Sequence, residues 1–190
     1  MGTASERRMG GDVQGDFTLL ARTVLGSALD RMDIEIRDMT LADWPDVARI
    51  YGEGIATGLA TFENAVPPYD EWNVTHHPRP RLVALAAGTV VGWAALSPVS
   101  RREVYRGVAE VSVYVQEASR GEGVGHALLA ALVDRAVAME FWTLQASIFA
   151  ENAASIALHD RAGFRSVGRR ERIAQLRGEW KDTILMERRL

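Results

Sequence analysis

The order of apolar patterns along the chain predicts a mixed α/β fold built around one central sheet. Three observations carry that expectation. The run EVSVYVQ over 110–116 alternates strictly and is rich in β-branched residues, which is the pattern of a strand. The stretches 123–139 and 152–162 instead repeat their apolar residues at helical spacing. Strand and helix patterns interleave along the chain, in the order β-α-α-β-β-β-α-β-α-β-β, and do not segregate into blocks.

The first strand is Ile34-Glu35-Ile36-Arg37, an alternating run just after Met32. Thr40-Leu41-Ala42-Asp43 is a helix start of the capping-box type, with Asp in place of the usual Glu, and Val47, Ile50, Tyr51 and Ile55 follow at helical spacing. Pro67, Pro68, Pro78 and Pro80 break the next stretch into loop, with one short helix over 69–74. Apolar runs over 81–87 and 89–96 flank Gly88 and read as a hairpin. After the strand at 110–116 comes the helix 123–139, with Leu128, Leu129, Leu132, Val133 and Ala136 as its buried stripe. A strand over 143–149 leads to the helix 152–162, which Gly163 ends as a C′ residue. Two closing strands are expected over 164–172 and 180–188.

Residues 1–31 stand apart. Positions 1–15 are rich in Gly, Ser and charge and read as disordered, and 17–29 as a short amphipathic helix, so an N-terminal extension is expected ahead of a domain over 32–190. A chain of 190 residues is long enough to bury a full core without disulfides. It contains no cysteine, which excludes a disulfide framework, thiolate metal sites and a cysteine nucleophile. The net charge of −3 argues against a general nucleic-acid binder. No apolar run approaches the roughly 18 residues of a membrane span, so no membrane partner is expected. Of the 22 basic residues only Lys181 is a lysine, which confines any catalytic lysine to that position.

The sharpest local feature is the turn Arg120-Gly121-Glu122-Gly123-Val124-Gly125, between the strong strand and the strong helix. Glycines let the backbone turn tightly and leave several N–H groups unobstructed, and a helix N-terminus carries a partial positive charge that stabilises a phosphate. The spacing is not that of a dinucleotide-binding Gly-x-Gly-x-x-Gly, and the Gly-Lys-Ser/Thr of a nucleotide P-loop is absent. Taken alone, the turn is either an anion cradle or a purely structural glycine turn.

Its neighbours narrow the choice. The pattern Arg/Gln-x-x-Gly-x-Gly/Ala between a Val-rich strand and an amphipathic helix resembles the pyrophosphate loop of the GNAT acetyltransferase superfamily, with Arg120, Gly123 and Gly125 in its fixed positions. The segment from Asn152 to His159 (NAASIALH) and Gly163-Phe164 resembles that superfamily's Asn-x-x-Ala/Ser-x-x-x-Tyr and Gly-Phe motif, with His159 in the tyrosine's place. With IATGLATFE at 55–63, Glu71-Trp72, Leu96-Ser97-Pro98, Tyr105, Glu110 and the tail Gly178-Glu179-Trp180-Lys181-Asp182, the chain resembles the phosphinothricin and methionine-sulfoximine N-acetyltransferase family over about 34–190.

The resemblance implies a GNAT fold, acetyl-CoA as co-substrate, no metal, a small-molecule amine as acceptor, a homodimer and a cytoplasmic location. It also assigns roles. Glu110 stands where the family has its general base; from the residue alone it is either that or an ordinary strand-edge glutamate. His159 is either a satisfied core histidine or a proton-handling group beside the thioester. Asn152 either caps its helix or bonds the pantetheine amides, and both can hold together; Ser155 is a weaker cofactor candidate. The backbone of Val113 and Val115 is expected to pair with the pantetheine, and Arg120, Gly121, Gly123, Val124 and Gly125 to hold the pyrophosphate. On the acceptor side the resemblance implies Phe62 and Glu63 as walls of the cleft, and Arg102 and Tyr105 as partners of an amino acid carboxylate. His76 and His77 read as surface histidines, since nothing nearby supplies further ligands at zinc spacing.

Three departures flank the acceptor side. Gln175 and Leu176 replace the family's Phe-Lys pair, Val108 a common threonine, and Arg102-Glu103-Val104-Tyr105 the commoner Arg-Pro-Ala-Tyr. These changes leave acetyl-CoA use intact and bear on which acceptor is taken. The reaction that the resemblance implies is direct acetyl transfer to the α-amine of a phosphinothricin, methionine sulfoximine or methionine sulfone type of acceptor. Acetylation of another amine (polyamine, aminoglycoside or protein N-terminus), or non-catalytic acyl-CoA binding, stands as the alternative.

Overall fold

The computed structural model describes residues 33–190. The expected extension over 1–31 lies outside them. Strand β1 (Ile34–Asp38) runs into the predicted cap. Asp43 Oδ2 accepts from Thr40 N–H at 2.7 Å and from Thr40 Oγ1 at 2.8 Å, while the Arg37 guanidinium closes on the same carboxylate at 2.8 and 2.7 Å. The arginine's hydrogen bonds, more than the threonine's, hold the Asp43 carboxyl well below the usual carboxylate range against the opposing effect of burial. One 3-10 turn (Leu41–Asp43) then gives way to α1 (Trp44–Ala56), with Pro45 in the first turn, where no N–H is missed.

Helix α1 buries Val47, Ile50, Tyr51 and Ile55 against Val83, Val90, Trp93 and Ala95. Helix α2 (Tyr69–Thr75) adds Trp72, which is 1% exposed and sits edge-on to Trp93 at 5.8 Å. The predicted hairpin is β2 (Arg81–Ala86) and β3 (Thr89–Pro98), turned by Ala87 and Gly88, both at positive φ. Val90 to Leu96 is buried without interruption, because β3 is covered on both faces. Trp93 and Ala95 meet α1, whereas a Cβ at Gly92 would meet Leu128 and Val124 of α3 (Val124–Ala138) on the other face.

The rest of the sheet is β4 (Val108–Val115), β5 (Thr143–Phe149), β6 (Arg165–Leu176) and β7 (Glu179–Arg189), with α4 (Ala153–Arg161) between β5 and β6. The strand order is β1-β2-β3-β4-β5-β7-β6. Only β4 and β5 pair in parallel, and only over Val108–Thr143, Ala109–Leu144 and Glu110–Gln145. Beyond Glu110 the two strands part, while β4 stays paired with β3 as far as Val115. This splay opens a wedge in the middle of the sheet.

The tail Gly178-Glu179-Trp180-Lys181-Asp182 is explained by the β6–β7 hairpin. Arg177 and Gly178 take the turn at positive φ. Asp182 accepts the Arg172 N–H at 2.7 Å where the register of β6 slips between Arg170 and Ala174, and Trp180 carries the Arg172 guanidinium 5.0 Å above its ring. The irregularity lets β6 run to Leu176, past the expected 172. Among the described residues no helix is long and apolar enough to cross a membrane.

Candidate active site

Two cavities flank the splay. The first, about 590 Å³, lies between the C-terminal half of β4, the glycine turn and α4. The second, about 360 Å³, lies between β4 and β5 on the face toward α1. Leu59, Ala60, Val113, Tyr114, Asn152 and Ser155 belong to the walls of both, so the two spaces adjoin across the exposed edge of β4.

The glycine turn forms the outer end of the first cavity. Gly121 and Gly123 have φ of +84 and +88°, with no atom within 4 Å of a Cβ position. The backbone conformation, and not crowding, therefore calls for glycine at both. Gly123 is the residue before α3 and accepts the Ala127 N–H at 3.0 Å, so the first free N–H groups of the helix begin at the turn. Gly125 is small for another reason: its Cβ would stand 3.3 Å from Leu158, where α3 and α4 approach. Arg120 is exposed beside the turn and donates to Val115 O at 3.3 Å. Val124 contributes only backbone, since its side chain is 1% exposed and packed in the core. His126 and Arg161, not singled out by the sequence, also line this cavity. Backbone N–H groups, a helix N-terminus and basic side chains together suit a phosphorylated ligand.

The inner end is organised by α4. Asn152 Oδ1 accepts the Ser155 N–H at 3.1 Å, a side-chain N-cap, while Nδ2 donates to Leu59 O at 3.1 Å. The capping reading of Asn152 thus holds, and the same side chain fastens the α1–α2 loop to the cavity. At the other end, Phe164 N–H bonds to His159 O at 3.0 Å and Gly163 N–H to Asp160 O at 2.9 Å, with Gly163 at φ +82°. This Schellman closure brings the Phe164 ring edge-on to His159 at 5.1 Å. His159 is 4% exposed and lines the second cavity. Its Nδ1 lies 2.9 Å from the Ser155 carbonyl, which can only accept, so Nδ1 carries the hydrogen and Nε2 the lone pair. That buried Nε2 has no hydrogen-bond partner among the described residues. Burial pushes the imidazole pKa below its ordinary value, so the ring stays neutral and Nε2 is an acceptor.

Glu110 faces the second cavity at the last paired position before the splay, with Gln145 Nε2 3.4 Å from its Oε2. Its face of the sheet also carries Ser112 and Tyr114 on β4, in register with Ala95 and Trp93. Tyr114 stacks on Trp93 at 4.7 Å and meets Tyr51 edge-on at 4.9 Å. Burial raises the pKa of both tyrosines, so both keep their phenolic protons. Phe62 closes the opposite wall edge-on to Phe149 at 4.6 Å, and Glu63 lies exposed at the lip.

One expectation needs correction, and two residues stand apart from the cavities. His76 and His77 are not surface residues. His76 stacks on Trp72 at 4.4 Å, bonds through Nδ1 to Trp72 O at 2.8 Å and lines the second cavity; burial lowers the pKa of both rings. A histidine pair beside prolines looks polar in sequence, and the preceding Trp72 anchor is what draws it inward. Arg102 and Tyr105 line neither cavity. They stand exposed at the 3-10 turn between β3 and β4, with the guanidinium 5.7 Å above the tyrosine ring. Tyr51, Tyr114 and Ser147 are cavity residues that the sequence did not single out. The alternation of β4 already placed Tyr114 on the face of Glu110. Among the described residues no group of three or more His, Asp or Glu side chains is placed to hold a metal ion.

Residues 37–164 match the sequence pattern of the Acetyltransferase (GNAT) family. The chain is 37% identical over 164 residues to an L-methionine sulfoximine/L-methionine sulfone acetyltransferase of Pseudomonas aeruginosa, covering 82% of this chain and 94% of that protein. A GNAT superfamily phosphinothricin acetyltransferase from Sinorhizobium meliloti, solved with AcCoA, superposes with a TM-score of 0.76 at 34% identity, over 84% of this chain and 89% of that one. A ribosomal-protein-alanine N-acetyltransferase from Brucella melitensis superposes with a TM-score of 0.77 at 37% identity, over 82% and 99%.

Proposed function

The chain belongs to the GNAT acetyltransferase family, and on that premise we propose that it moves an acetyl group from acetyl-CoA to the α-amine of a small amino acid-like acceptor, of the methionine sulfone, methionine sulfoximine or phosphinothricin type. The observation that carries this reading is the meeting of the two cavities across β4. One is lined by the glycine turn, a helix N-terminus and the free edge of β4, which suits a phosphate and a pantetheine arm; the other is small, holds Glu110 and is closed by Phe62 and Phe149.

Acetyl-CoA supplies the acetyl group as an activated thioester. The turn from Arg120 to Gly125 would hold the pyrophosphate, and the edge of β4 at Val113 and Val115 would pair with the pantetheine amides, as an extra strand would. An N–H of that edge would also polarise the thioester carbonyl and stabilise the oxyanion that forms. Glu110, directly or through a water, takes the proton that frees the amine's lone pair. His159 accepts a hydrogen bond at Nε2 and can return a proton only after gaining one. The transfer is direct from thioester to amine; the chain has no cysteine, which removes the most obvious acyl carrier. A homodimer and a cytoplasmic location belong to the same proposal, as does the role of residues 1–31 as an extension dispensable for catalysis.

The test is thiol release from acetyl-CoA with a panel of methionine sulfone, methionine sulfoximine, phosphinothricin, a polyamine, an aminoglycoside and an alanine-first peptide. Turnover concentrated on the first three supports the reading. Preference for the peptide would favour the protein N-terminus reading, and CoA binding without turnover of any amine would refute catalysis.

A further inference from the structure

The acceptor cavity has an unassigned polar end. Ser147 lies on β5 two residues beyond Gln145, which pairs with Glu110, so it projects from the same face roughly 7 Å further along the strand. Its hydroxyl is not isolated. Arg170 of β6 reaches across β7, its Nε donating to Thr183 Oγ1 at 3.1 Å and its Nη2 to Ser147 Oγ at 2.6 Å. The strand order β5-β7-β6 makes that a span of about 10 Å, nearly the whole length of an arginine side chain. Thr183, 1% exposed, pairs with both Phe149 and Arg170, which places all four side chains on the cavity's face of the sheet.

Two details separate Arg170 from its neighbours. Arg165 and Arg169 are exposed and are paired with Glu187 and Asp182. Arg170 is half-buried and has no ion-pair partner among the described residues. A cation drawn inward without a counter-charge is costly unless an anion arrives. Its hydrogen bond also fixes the serine's role: Ser147 Oγ accepts from the guanidinium, so the hydroxyl hydrogen is free to donate into the cavity, polarised by the charge behind it.

We propose that Ser147, held and polarised by Arg170, is the subsite for an anionic oxygen of the acceptor, its α-carboxylate. Resting on the amino acid-like reading above, the assignment fits a substrate whose amine meets Glu110 and whose carboxylate meets Ser147. It also replaces the cation that Arg102 does not bring to the cavity. Ser147 is the binding residue, and Arg170 is a positioning residue that acts through it.

The experiment compares kcat/KM for methionine sulfone and for its α-carboxamide, in the wild-type protein and in Ser147→Ala, Arg170→Gln and Arg170→Lys. The wild type should prefer the acid by about tenfold or more. Ser147→Ala and Arg170→Gln should lose most of that preference through the acceptor KM, with the KM for acetyl-CoA unchanged, and Arg170→Lys should restore part of it. Acid and amide falling together, as a merely structural role requires, would overturn the assignment, as would a preference intact in Ser147→Ala. Wild-type turnover of amines without a carboxylate, and not of methionine sulfone, would refute the amino acid reading and the subsite with it. Wild-type turnover of the acid with unchanged preference in the variants refutes the subsite alone.

Discussion

Gly54→Ala tests how tightly the two cavities are coupled through one ring. In an ordinary exposed helix this change adds about 1 kcal/mol of stability. Here the new Cβ would sit 2.6 and 2.7 Å from Cδ1 and Cε1 of Tyr114, far inside van der Waals contact, so the ring must retreat by the better part of an ångström. It has little room, being stacked on Trp93 at 4.7 Å and braced by Tyr51 at 4.9 Å. Overpacking of this kind costs about 1–3 kcal/mol, which outweighs the helix gain and leaves a net loss of up to about 2 kcal/mol. For a domain of this size the full loss lowers Tm by roughly 4–8 °C. Because Tyr114 lines both cavities, the KM values for acetyl-CoA and for the acceptor should rise together. Thermal unfolding and steady-state kinetics of Gly54→Ala, alone and with Tyr114→Val, give the measurement. The second substitution should abolish the added cost of the first. A Tm for Gly54→Ala equal to or above wild type would refute the reasoning.

Asn152→Ala should lower stability by about 1 kcal/mol through the lost cap and raise the KM for acetyl-CoA, since the tie to Leu59 goes with it; calorimetry and initial rates check both. Gly123→Ala should cost about 1–2 kcal/mol, because a side chain is strained at φ +88°, and should weaken acetyl-CoA binding in titration calorimetry. Acid should destabilise the fold in two stages. His76, His77 and His159 have folded pKa values lowered by burial, so the unfolded chain binds more protons and stability falls as pH drops below about 6.5. Asp43 has a lowered folded pKa, so its contribution is complete above about 3.9 and is lost as pH falls below that. Tm measured from pH 8 to 3 should show both, and Asp43→Asn should shrink the second, to which the Asp182 carboxylate, held low by the Arg172 N–H and Arg169, also contributes.

The fold was legible because its signals are local. The alternation of β4, the glycine at the α3 start, Gly163 after α4 and the Thr40–Asp43 cap each act within a few residues, and each is found where expected. The glycine turn and Asn152 were legible for the same reason. The polar end of the second cavity was not. Arg170, Thr183 and Ser147 lie on three strands, and nothing in a single strand says that an arginine from β6 will reach across β7 to β5. His76 was misread because its burial depends on Trp72 and Trp93, the latter from a strand 17 residues on. The place of Arg102 was not legible because loop placement is not a periodic property.

The central claim is that Glu110, at the mouth of the splay, takes the amine's proton. The most direct measurement is kcat of Glu110→Gln against pH with saturating acetyl-CoA and acceptor, beside the affinity of the variant for acetyl-CoA. A fall in kcat of roughly 10²-fold or more with acetyl-CoA binding unchanged is the expected result. Near-normal turnover of Glu110→Gln across the pH range would contradict it.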